Sequence, residues 1–145
     1  MFTVLEVCKD KEVVAQLRLW HAGCTHYLSG ESLQAFVLGW TAIENLLGML
    51  WREHLAKHAI DGGWLEKLTS LQGGFTIDHI IEFLNLVGSI DPTKYSRLQE
   101  LRKTRNKTVH SGREPVNDDT AQCLRVAGEM LSERIDPYLI PSAQN

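Results

Sequence analysis

The sequence predicts an all-α protein, a single helical bundle of about five helices over residues 1–145. Three observations lead there. Apolar residues recur at spacings of three and four along nearly every ordered-looking stretch, and no stretch alternates as a half-buried strand does. The third is length: 145 residues can bury one continuous core and are too few for two.

The elements follow in order. A short lead-in precedes a first helix over about Asp10 to Tyr27, and "LSGES" breaks it, with Ser29 or Ser32 placed to cap the next. The second helix is the longest, from about Ser32 to His58. Its apolar stripe runs through Leu33, Phe36, Val37, Trp40, Ile43, Leu47, Leu50 and Trp51. "DGG" at residues 61–63 stops that region, because glycine takes the left-handed conformation of a helix end without steric cost. A short helix is expected from Trp64 to Leu71, ended by Gly73 and Gly74, and then a helix marked by Ile77, Ile80, Ile81, Leu84 and Val87.

Asp91-Pro92 reads as an N-cap followed by proline at the first helical position. That helix runs to about His110, with Gly112 as its stop. Asn117, Asp118 and Asp119 supply the cap and the dipole-matching acids of a last helix, whose seam is Leu124, Ala127, Leu131 and Ile135. Asp136-Pro137 closes it, and the tail "SAQN" looks frayed. No repeat, low-complexity tract or linker divides the chain.

Composition narrows the function classes. A net charge of -3 argues against a protein that coats nucleic acid along its whole surface, since counterion release needs clustered Lys and Arg. One segment departs from that balance. Lys94, Arg97, Arg102, Lys103, Arg105, Lys107 and Arg113 face the single acid Glu100. Cys8, Cys24 and Cys123 are odd in number and form no CxxC pair, which suggests free thiols in a reducing cytoplasm. The N-terminus carries acids where a signal peptide needs an apolar run, and no apolar run reads as long enough to span a bilayer.

Two ionisable residues interrupt apolar seams. In the fourth long helix the seam Tyr95, Leu98, Leu101, then Thr108 or Val109 puts Arg105 where an apolar residue belongs. In the second, Glu44 falls four after Trp40 and three before Leu47. A desolvated charge is costly unless paired, so each needs a partner or a ligand. One reading is an ion pair between helices. The other makes Arg105 an anion binder, its guanidinium fork matched to a phosphate and oriented by Glu44.

His110 adds a titratable group to that helix end. Residues five apart on an ideal helix are separated by roughly 140°, so Arg105 and His110 meet at one site only if the end loosens or the arginine reaches round. Asn106 and His110, four apart, share a face. The plain alternative for His110 is a cation matched to the helix dipole.

Arg105-Asn106-Lys107-Thr108-Val109-His110 resembles the R-x4-H motif of the HEPN superfamily, with a polar residue after the arginine. "GESLQAFVLGWTAIENLL" is similar to that family's long second helix with its embedded acid. The likeness extends over most of the chain in helix order and is specific only in these two places. It implies a HEPN-like domain over 1–145 that dimerises, and an endoribonuclease that needs no metal or other cofactor, of the kind used as toxins or antiviral effectors. Carried over, Arg105 and His110 form the catalytic pair, with Asn106 and Glu44 in support; Arg102, Lys103, Lys107 and Arg113 are placed to hold RNA. The partners so implied are the RNA substrate, a second copy, and a cognate antitoxin or regulatory protein, with no membrane. Gly112 stands where some members carry a tyrosine that a partner enzyme adenylylates, so that control is not expected here. The family also contains inactive modules, which leaves a silent scaffold or an antitoxin as the alternatives.

Other constellations fall short. His54 and His58 have ligand spacing, but "EHLAKH" is not HExxH and no third ligand lies near in sequence; His21, Cys24 and His26 offer ligand types without a pattern. Trp20, Trp40, Trp51 and Trp64 read as core and interface anchors. The paired glycines lack the lysine and strand of a phosphate loop, and no Ser-His-Asp or Cys-His set can be placed.

Overall fold

A computed structural model describes residues 10–58 and 76–139, with side-chain surroundings through Asp136. These residues form five helices and no strand: α1 (Lys11–Leu28), α2 (Ser32–Lys57), α3 (Ile77–Leu86), α4 (Pro92–Ser111) and α5 (Asn117–Leu139). The all-α class and the number of helices agree with the sequence reading. The lead-in, the "DGG" stop, the short helix expected at Trp64–Leu71, its Gly73-Gly74 end and the tail lie outside the described residues.

Two compact units divide the chain. The first holds α1, α2 as far as Ile43, α4 from Leu101 onward, and α5. Its core contains Val13, Phe36, Trp40, Ile43, Leu101, Val126, Ala127 and Leu131. Packing of α1 on α5 is close because small residues allow it. Gly23 on α1 and Gly39 on α2 both face Leu124 Cδ2, such that an added Cβ would stand 2.8 and 3.1 Å from that methyl. Gly128 likewise leaves room for the Trp20 indole, whose Nε1 donates to the Leu124 carbonyl at 2.9 Å. At the starts of α2 and α5, Ser32 Oγ donates to Asn117 Oδ1 at 2.6 Å and buried Thr120 Oγ1 to the Ser32 carbonyl at 3.4 Å.

The second unit holds α2 from Glu44, α3, and α4 as far as Glu100. Leu47, Trp51, Leu55, Ile81, Leu84 and Leu98 are buried in it. The Trp51 ring meets Phe83 edge-on at 4.8 Å, and Glu82 Oε1 accepts from Tyr95 Oη at 2.7 Å and Gln99 Nε2 at 3.0 Å. Desolvation, then the charges of His58 and Lys57, hold the His54 imidazole below its ordinary pKa.

The first helix starts close to the expected Asp10, which stands just outside α1 as its cap, accepting from the backbone N–H groups of Glu12 and Val13. Two other helix ends form as expected. Asp91 accepts from Lys94 N at 2.8 Å ahead of Pro92. Gly112 ends α4 at φ +63°, its N–H donating to the Thr108 carbonyl.

Others differ. Ser29 terminates α1, and Ser32 is the first residue of α2 rather than its cap, its hydroxyl given to Asn117. Asn117 is likewise inside α5, where the Val116 carbonyl accepts the first helical bond from Thr120. Helix α5 runs through Pro137 to Leu139; the φ of proline is already helical, and so near the end only one backbone bond is forgone. Val37 and Val109 are not seam residues but exposed, because each falls just beyond the edge of its buried arc. By length and composition α2 could cross a bilayer, contrary to the sequence reading, yet half of its apolar window is buried inside the protein, as in a core helix.

The Lys94 backbone N–H is the main cause that holds the Asp91 carboxyl below the ordinary range. Its stabilising contribution is therefore complete at neutral pH, above the unfolded-state value, and is lost as pH falls through the lowered folded value. Thermal melts should show Asp91→Ala less stable than the parent at pH 7, with the difference shrinking toward pH 3. An undiminished difference at low pH would assign the loss to something other than the ionised cap.

Candidate functional site

Arg105, Asn106 and His110 lie on the last turns of α4, a helix that owes its depth in the unit to Leu101. Below them the helix is pinned to α5. Thr104 Oγ1 donates to Asp119 Oδ2 at 3.1 Å, and Thr108 Oγ1 donates back to the Thr104 carbonyl at 3.0 Å. Threonines on the inward side satisfy their hydroxyls locally in this way, leaving the opposite side of the helix to solvent. Asp119, expected only as a dipole-matching acid, is thus also the anchor. Thr104, four before Thr108 and on the same face, was the available signal.

Arg105 is half-buried at the edge of the seam, not enclosed in it. Its Nη1 donates to Asn106 Oδ1 at 3.3 Å. The guanidinium is thereby drawn off the axis of its own residue toward the stripe that Asn106 shares with His110. The helix does not fray; it stays α-helical through Ser111. A loosened helix end therefore does not bring the arginine and histidine together, and the one contact of the guanidinium on this side is with Asn106.

His110 is exposed, and its position is the outermost of the three. Lys103 and Lys107 are exposed and Arg102 is half-buried on α4, and exposed Arg113 follows just beyond its end. Glu44 is half-buried in α2 and belongs to the other unit. Among the described residues, no group of three or more His, Cys, Asp or Glu side chains converges as a metal cage would.

Cys24 and Cys123 are free thiols, and burial pushes both upward in pKa, Cys123 far upward. The Cys123 thiol donates a hydrogen bond to the Phe36 carbonyl at 3.7 Å and is a core residue, not a nucleophile. Comparison with family models, with curated proteins and with solved structures returns no match.

Chemically, the row offers a permanent cation with a planar fork of donors, an amide that orients it, and an accessible imidazole with two ring nitrogens able to donate or accept. Those are the parts needed to bind a phosphodiester and move protons on and off its oxygens.

Proposed function

We propose that the chain is a metal-independent endoribonuclease of the HEPN type that works as a homodimer in the cytoplasm, as a toxin or antiphage effector. The observation that carries the reading is the Arg105–Asn106 hydrogen bond, which leans the guanidinium toward the stripe ending at exposed His110. Cleavage without a metal requires deprotonation of the 2′-hydroxyl, stabilisation of the crowded phosphorane, and protonation of the departing 5′-oxygen. His110 supplies proton transfer, and Arg105 holds the negative charge that develops. One histidine cannot readily be base and acid in a single in-line displacement. A two-fold axis brings a second Arg105 and His110 to the same phosphate, and the product is a 2′,3′-cyclic phosphate. Lys103, Lys107, Arg113 and Arg102 hold the RNA backbone.

A second reading also has an observation behind it. An Arg105 already engaged by Asn106 suits a silent helical module that binds a protein or nucleotide partner. Labelled RNA separates the two. The nuclease cuts in the presence of EDTA and leaves cyclic phosphate ends, and its expression is toxic until His110 is replaced. Cleavage that requires added metal, or no cleavage and no toxicity at all, overturns it in favour of the module.

A further inference from the structure

We propose that His54, on the last turn of α2, and His58, in the turn just beyond its end, form a surface site for one divalent transition-metal ion of the nickel, copper and zinc class, completed by water. Their spacing alone carries no such site, and among the described residues no third protein ligand joins them. What the structure adds is the arrangement of the two rings. Their centroids are 4.2 Å apart and their planes 27° from parallel, so both imidazoles already project from one face. The His54 ring is braced by the edge of Phe83 at 5.1 Å. His58 Nδ1 lies 2.9 Å from the His54 carbonyl, a contact that places the proton on Nδ1 and leaves the Nε2 lone pair for a ligand. Metal-binding histidines are typically oriented by such a bond on the other ring nitrogen.

Two nitrogens on one ion sit roughly 3 Å apart, and the ring centroids stand 4.2 Å apart, with exposed His58 the ring that has room to adjust. The ion meets the carbonyl end of the helix dipole, which favours positive charge, and Lys57 beside it opposes. Imidazole pairs of this kind select nickel, copper and zinc over calcium and magnesium. The site is independent of the RNA chemistry proposed for α4.

The test is calorimetric titration of the metal-stripped full-length protein with Ni2+, alongside histidine ring NMR. A single ion should bind per chain and broaden the His54 and His58 ring signals. His58→Gln and His54→Gln should each weaken binding by about tenfold or more. Melting curves of His58→Gln and the parent without metal separate the loss of the His54 carbonyl bond from the loss of the ligand. Failure of the parent to bind Ni2+, or binding by His58→Gln as tight as the parent's, overturns the proposal.

Discussion

His110→Ala should lower the rate of RNA cleavage by about 10²–10⁴-fold, the range removed when a positioned general acid or base is lost. Because His110 is exposed on the outer side of α4, the same change should leave the unfolding free energy within about 0.5 kcal/mol of the parent. That combination is diagnostic, since a side chain that only matches the helix dipole would move neither quantity far. Arg105→Ala should cost about 10²–10³-fold in rate through loss of oxyanion stabilisation. Unlike the histidine change, it should also lower stability by about 1 kcal/mol, because it removes the donor bonded to half-buried Asn106. Arg105→Lys keeps the charge without the fork and should recover only part of the loss. The double variant should be little worse than the poorer single one, as expected of groups that act together. Initial rates on a labelled oligonucleotide, read beside urea melts, give all of these quantities. A His110→Ala protein that cuts as fast as its parent removes the histidine from the mechanism.

Gly39→Val should destabilise the protein by about 1–3 kcal/mol through overpacking. Helix propensity alone would favour replacing glycine by several tenths up to about 1 kcal/mol, so a measured loss reports the packing. A Cβ at residue 39 meets Leu124 Cδ2 at 3.1 Å and Cys123 Sγ at 3.2 Å, two neighbours on successive residues of α5. Leu124→Ala alone should cost about 2–5 kcal/mol. Combined, the two changes should fall short of their sum by about 0.5–3 kcal/mol, because the methyl that opposes the valine is the one the alanine removes. Costs that simply add would mean that Leu124 does not set the approach of α2 to α5.

The helix boundaries most legible in the sequence were those written by local chemistry. Asp91-Pro92 and Gly112 each satisfy or forgo a backbone group at one defined position, and each stands where it was expected. Ser32 and Asn117 were misjudged for a nonlocal reason: each side chain serves the other across 85 positions of chain, and no single helix records that exchange. Val37 and Val109 show the limit of periodicity, which marks a stripe but not its edges. At the candidate site the sequence supplied Arg105, Asn106 and His110 and posed the problem of their five-residue spacing. It did not disclose the Arg105–Asn106 bond, because the direction of a long arginine depends on which neighbour its guanidinium finds. Nor did it disclose the Thr104–Asp119 pin beneath them.

The unit carrying Arg105 and His110 is assembled from segments far apart in the chain, and the close fit of Leu124 between Gly23 and Gly39 joins the early part to the late one. On the ribosome, where a chain folds as its parts emerge, Arg105 and His110 appear before α5 does. Until Leu124 and Asp119 have followed, α1 and α2 lack the side chain that fits between Gly23 and Gly39, and α4 has no pin. A nascent chain therefore holds these residues without the frame that aims them, and whatever the row does begins only once α5 is made.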